Sequence, residues 1–205
     1  MLKKSNLPPE ELKNYRPVSN LPFISKVLEK IVAKQLRCHL DANDLYETYQ
    51  SAYRPFHNTE TALTKIQNDL LCAADESKVS ILALLDLSSA FDTIDHSILI
   101  ERLNKTFGMS GSVLRWFQSY LTNRSQSILI NDNQSVNFSL SYGVPQGSVL
   151  GPLLYTMYTQ PVGGIIKAHN INTHFYADDT QLYSSAYPTE INVLKNNIEK
   201  CIEDV

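Results

Sequence analysis

The stretch "THFYADDTQLYSS" at 173–185 constrains the fold more than any other, because it sets Asp178 beside Asp179 between two aromatic, apolar runs. Neighbouring side chains on a strand point to opposite faces, so an unbroken strand here would drive one of the two acids into a core. The stretch therefore predicts a hairpin, "NTHFYADD" returning as "TQLYSSA", with both acids at its tip. Asp is common in hairpin loops, and turn chemistry alone accounts for either acid taken singly.

A third acid changes the balance. In "VSILALLDL", six of the seven residues before Asp86 are apolar, and the pattern reads as a fully buried strand that ends on a carboxylate. Such an acid caps a turn, pairs with a base or holds a metal. Capping "SSAF" is the simplest use of Asp86 alone. Yet two separate strands end in acid, and no basic residue stands near either in sequence. Like charges brought together oppose each other's ionisation unless a cation joins them. Oxygen ligands in this number suit Mg²⁺, which keeps its waters and takes one or two carboxylates plus substrate phosphates. That is a two-metal phosphoryl-transfer site in outline.

Composition bounds the rest. At 205 residues, 43% hydrophobic and 19% charged, the chain supports one good core with a lobe added. No apolar run is long enough to span a bilayer, and "MLKKSNLPPEELKNYRP" lacks the apolar core of a signal peptide. Cys38, Cys72 and Cys201 lie far apart without CxxC spacing, which argues against a zinc site and for a reducing, intracellular setting, nuclear or cytoplasmic. The net charge of −3 does not advertise a nucleic-acid binder.

Helical spacing marks "FISKVLEKIVAKQLRCHL" (23–40), with Phe23, Val27, Leu28, Ile31, Val32, Leu36 and Leu40 as its apolar face. "TETALTKIQNDLLCAA" (59–74) is a second helix with Asn58 as N-cap. "LYETYQSAYRPFHN" between them is irregular. "HSILIERLNKTF" and "SGSVLRWFQSYLTN" are further helices, with Asp95 capping the first. "QSILIND" and "SVNFSLSYGV" form a hairpin around 131–133. "SVLGPLLYTMYTQPV" is helical with Pro152 in its first turn, and "EINVLKNNIEKCIEDV" closes the chain as a helix. Helices first and then a few mostly antiparallel strands backed by helices make the class α+β. Without GxGxxG or GxxxxGK[ST], a Rossmann or P-loop fold has no support.

Five blocks in order now carry a resemblance: "NYRPVSNLPFISKVLEKIV", "YQSAYRPFHNTETAL", "LALLDLSSAFDTIDHSILIERL", "YGVPQGSVLGPLLYTMY" and "FYADDTQLY". Over residues 14–185 the chain resembles the reverse transcriptase domain of non-LTR (LINE-type) retrotransposons. The resemblance implies a right-hand polymerase, with helical fingers over 1–78 and a palm over 79–205 whose small antiparallel sheet is backed by helices. It implies an RNA-directed DNA polymerase that adds dNTPs to a DNA or RNA primer on an RNA template. Two Mg²⁺ ions, replaceable by Mn²⁺, are implied with it. Asp86 and Asp178 become the principal metal ligands, Asp179 the assisting carboxylate, and the carbonyl of Leu87 a further ligand. Phe91 becomes a gate against the 2′-OH of ribonucleotides; without the family it is as readily a core anchor. Gln146 and Gly147 line the incoming base pair, Gly147 by letting the backbone approach closely. Arg54 and Arg16 meet triphosphate or template backbone through guanidinium forks.

The remaining polar residues carry less. His57, His169 and His174 lack metal-ligand spacing, and no Ser–His–Asp arrangement is legible. A thumb after the palm and an endonuclease ahead of the fingers are also implied, and neither fits in this chain. The expectation is thus a truncated domain, and the alternative to an active enzyme is a folded, non-catalytic retroelement remnant. Oligomeric state is not legible.

Overall fold

The computed structural model of the chain describes residues 2–3, 8, 11, 14–16, 18–86, 90–130 and 133–205. Its strands are β1 (Leu2–Lys3), β2 (Tyr15–Arg16), β3 (Val79–Asp86), β4 (Arg124–Gln126), β5 (Leu129–Ile130), β6 (Asn133–Gln134), β7 (Phe138–Leu140), β8 (Asn172–Tyr176) and β9 (Asp179–Ala186). Its helices are α1 (Phe23–Ala42), α2 (Thr59–Asp75), α3 (His96–Lys105), α4 (Gly111–Leu121), α5 (Gly151–Ala168) and α6 (Ile191–Asp204). This is the expected α+β mixture of helices and antiparallel pairs. Among the described residues no helix is long and apolar enough to cross a membrane.

Helix starts fall where their caps stand. The Asn58 side chain accepts from the Thr61 N–H at 2.8 Å, and the Thr61 hydroxyl oxygen accepts from the Asn58 N–H at 3.1 Å, closing a capping box ahead of α2. Asp95 accepts from the N–H groups of Ser97 and Ile98 and starts α3. For α5 a local cap, Ser148 Oγ accepting from the Gly151 N–H at 2.9 Å, is joined by one from far away: the Glu29 carboxylate of α1 accepts from the Val149 N–H at 2.6 Å and the Leu150 N–H at 3.3 Å. A negative charge there meets the exposed donors and positive end of the helix dipole.

That cap corrects the expected face of α1. Leu36 and Leu40 are buried as anticipated, but so is Glu29, at 1% exposure, while Phe23, Val27, Leu28 and Ile31 are exposed. Turning Glu29 inward rotates the first half of the helix so that its apolar residues face out. Charge satisfaction decided the rotation against the simple apolar count.

Two compact units form, each from two stretches of chain: residues 1–45 with 89–158, and residues 46–88 with 159–205. The regions 1–78 and 79–205 each contribute to both. In the first unit, α3 and α4 pack together, with Leu99, Leu103, Phe107, Phe117 and Leu121 nearly inaccessible. β4 pairs with β7 and β5 with β6, the hairpin anticipated from the alternation. Its tip residues Asn131 and Asp132 lie outside the described residues.

In the second unit the sheet order is β3–β9–β8, antiparallel throughout. Ile81, Ala83, Leu85, Phe175 and Leu182 turn to one face and pack on Ile166 of α5 and on Ile198 and Cys201 of α6. Asp86 turns to the other face with Leu82 and Leu84. The expectation of a fully buried β3 is therefore corrected: Leu84 is 69% exposed and Leu82 44%. Among the described residues β3 is an edge strand whose outer face is only partly covered, so its continuous apolar run is divided by the pleat into an inner and an outer set.

Candidate active site

The register of β9 assembles the acids. β8 and β9 close on the pair Tyr176–Asp179, leaving a two-residue turn of Ala177 and Asp178. Ala177 adopts φ +58°. A positive φ at the first central position matches the right-handed twist of the arms, a place where glycine is usual. An L-residue held there stores roughly 1 kcal/mol or more. On its other edge β9 pairs with β3, and that register sets Asp179 directly opposite Asp86. Opposed Cα atoms in such a pair stand about 5 Å apart, and Asp178 is the next residue along. Asp86 and Asp179 are exposed and Asp178 is half-buried. Among the described residues no base forms an ion pair with any of the three, and no group of three or more Asp, Glu, His or Cys is drawn together tightly enough to hold an ion. Leu87 lies outside the described residues.

The irregular segment before α2 proves to be built against this hairpin. Tyr49, Gln50 and Ser51 run alongside β8, with a parallel bridge between Gln50 and Phe175. The Gln50 side chain bonds the backbone of Ala177. Ser51 Oγ and His174 Nε2 are 2.8 Å apart, and both residues are buried. Burial, and then the charges of Lys65 and His57, hold the His174 pKa below its ordinary value. Ser51 is only 3% exposed, so this pair is a piece of core and no nucleophile. On the same face of the sheet the Tyr183 hydroxyl donates to Asp69 of α2 at 2.6 Å. Burial works to raise the Asp69 pKa, but the hydrogen bonds from Lys65 and Tyr183 leave it below the usual carboxylate range. Burial, and then the charge of Asp178, raise the phenol pKa of Tyr53. Arg54 lies in this segment, where it donates to the carbonyls of Glu47 (3.2 Å) and Gln50 (3.4 Å) and stacks its guanidinium 4.7 Å over the Tyr46 ring.

A second group of expected site residues gathers in the other unit. The Val144 N–H donates to the Phe91 carbonyl at 2.8 Å and the Gly143 N–H to the Ile94 carbonyl at 2.7 Å. Gly143 sits so close that a Cβ there would stand 2.9 Å from Asp92 Cα, with φ +83° besides. Only glycine admits that approach. Gln146 then donates from Nε2 to Asp92 at 2.8 Å, and its carbonyl accepts from the Ser19 N–H at 2.9 Å. Gly147, at φ +93°, follows, with a Val18 methyl 3.7 Å from where its Cβ would be. The Phe91 ring packs on Tyr155 with centroids 5.1 Å apart. Two blocks distant in sequence, 91–95 and 142–147, are thus one structural piece. Arg16 is placed in β2, its backbone paired with Leu2.

Sequence reasoning missed Gln50, Tyr53 and Glu29. One signal was available for Gln50: an uncharged polar residue among aromatics has to find partners if it is buried.

The family described as reverse transcriptase (RNA-dependent DNA polymerase) matches residues 2–205. In Drosophila melanogaster, the probable RNA-directed DNA polymerase from transposon BS is 31% identical over 191 residues, covering 90% of this chain and 21% of its own length. The probable RNA-directed DNA polymerase from transposon X-element is 33% identical over 159 residues, covering 78% of this chain and 17% of its own. The chain thus spans about a fifth of the length of these relatives. Among solved structures, telomerase from Candida albicans in complex with a TWJ fragment of telomeric RNA matches 89% of this chain and 33% of its own, with TM-score 0.63 and 14% identity. At that identity the fold is what is shared.

Proposed function

The chain belongs to the reverse transcriptase family, and on that premise we propose that it carries fingers (1–78) and palm (79–205) of an RNA-directed DNA polymerase. Its similarity to transposon polymerases bears out the expected non-LTR kinship. The reaction is addition of a dNTP to the 3′-OH of a DNA or RNA primer on an RNA template, by phosphoryl transfer.

The observation that carries this reading is the register that sets Asp86 opposite Asp179 with Asp178 in the adjoining turn. Three hard carboxylates without a basic partner among the described residues fit Mg²⁺ by donor chemistry. Asp86 and Asp178 would hold two ions, with Asp179 assisting and the Leu87 carbonyl adding a ligand. The chemistry supplied by bound Mg²⁺, or Mn²⁺ in its place, is activation of the primer hydroxyl and neutralisation of triphosphate charge. Gln146, steadied by Asp92, presents its amide beside the incoming base pair, and Gly147 keeps the backbone there narrow. Phe91, backed by Tyr155, crowds the sugar where a 2′-OH would stand. Arg54 and Arg16 meet phosphate.

Primer extension on an RNA template with dNTPs and Mg²⁺ or Mn²⁺ tests the reading. Product from the wild type that vanishes in Asp86→Ala and in Asp178→Ala is expected. No product at any protein concentration favours the folded, non-catalytic remnant instead. With ribonucleotides in the same assay, Phe91→Ala should relax discrimination; unchanged discrimination removes Phe91 from the gate.

A further inference from the structure

A two-residue hairpin loop ordinarily leaves its peptide groups to water, since no ladder partner faces them. Here they are taken by a side chain. Gln50 is 4% exposed. Its Oε1 accepts from the Ala177 N–H at 3.1 Å and from the Ala52 N–H at 2.9 Å, and its Nε2 donates toward the Ala177 carbonyl at 3.4 Å. Two N–H donors aimed at one atom make that atom the oxygen, so the amide orientation is set by its surroundings. The backbone locks Gln50 in turn. The Phe175 N–H donates to the Tyr49 carbonyl at 2.9 Å, and the Ser51 N–H donates to the Phe175 carbonyl at 3.0 Å. One amide therefore satisfies both backbone groups of the residue with the left-handed φ, immediately before Asp178.

We propose that Gln50 is the positioning residue of the carboxylate turn, holding Ala177 in its left-handed conformation and so fixing the direction of the Asp178 carboxylate before a cation arrives. The proposal rests on the reading that Asp86, Asp178 and Asp179 bind divalent cations. The amide suits this task better than any charged group. A carboxylate at position 50 would lack the donor for the Ala177 carbonyl and would add a fourth negative charge near the acids. An ammonium would lack the acceptor and would compete with the cation.

Mn²⁺ binding, followed by the loss of the free-ion EPR signal on the whole chain, tests the proposal without any turnover. The proteins are the wild type, Asp178→Asn, Gln50→Met and Ile198→Ala. Met preserves the volume of Gln50 and removes its hydrogen bonds; Ile198→Ala loosens the core behind the sheet. Asp178→Asn should weaken binding strongly. Gln50→Met should weaken it roughly 10- to 100-fold, the usual loss when a partner supporting a metal ligand is removed. Ile198→Ala should lower Tm and leave Mn²⁺ affinity in place. Equal binding by the wild type and Asp178→Asn defeats the cation reading and this proposal with it. Loss in Asp178→Asn but wild-type affinity in folded Gln50→Met defeats this proposal alone, as does an equal loss in Ile198→Ala. Should Gln50→Met not fold, hydrogen exchange on the wild type decides. The Ala177 amide should exchange as slowly as those of the β8–β9 ladder, and exchange at open-loop rates overturns the proposal.

Discussion

The chain builds two hairpins from similarly alternating sequence, and they come to opposite ends. The hairpin of β8 and β9 is buried: Phe175, Leu182 and Tyr183 are each under 5% exposed, and its turn is gripped by Gln50. The hairpin of β4–β7 is open: Ile128, Leu129, Val136 and Phe138 are each about half exposed or more. Period-two alternation is common to both. What separates them is the third strand. β9 is the central strand of its sheet and has helices behind it, whereas β4 to β7 pair only with one another among the described residues. Carboxylates at a turn make a directed site when the turn itself is rigid, and rigidity comes from what is packed around it.

The largest break of that comparison would come in the core. Leu182→Ala should destabilise the protein by about 3 kcal/mol through lost burial and a residual cavity, while Leu129→Ala should stay within about 0.5 kcal/mol. Urea denaturation measures both; similar values would erase the distinction between the hairpins. A smaller effect is expected at the turn. Ala177→Gly relieves the left-handed strain but frees the unfolded chain, so a net gain of less than about 1 kcal/mol is expected. A loss measured by thermal melting would mean that Ala177 is not strained. The smallest effect is a pH dependence. His174 is held below its unfolded pKa, so the unfolded state binds the extra proton as pH falls. Stability is then fully present above about pH 6.5 and declines as acid takes the pH through the folded value. Lys65 and His57 reinforce this, and Asp69 opposes it. His174→Gln should flatten the fall in Tm between neutral and mildly acidic pH.

Much of the fold was legible because its signals are local. Asn58 and Asp95 stand one residue before their helices, and the acids of 178–179 announce a turn through their immediate neighbours. The misreadings share a cause. α1 was assigned its face by apolar count, yet Glu29 bonds residues 120 and 121 positions away. β3 was read as buried on both faces because an apolar run does not disclose whether its strand is central or at an edge. Gln50 stood in a segment that was read only as irregular, and its partner lies 127 positions along the chain.

For the site, the sequence alone determined that Asp178 and Asp179 cap a hairpin and that Asp86 ends a strand. Both follow from side-chain alternation over a few residues and need nothing from elsewhere. Tertiary structure decided that Asp86 lies opposite Asp179, and that an amide from position 50 closes on the turn. The reason is physical. Register between distant strands is chosen by which face must be buried, and a slip of one residue would turn Leu85 and Leu182 out to water and the acids into the core. The packing of Leu85, Leu182 and Phe175 on α5 and α6 therefore aligns the carboxylates on the opposite face.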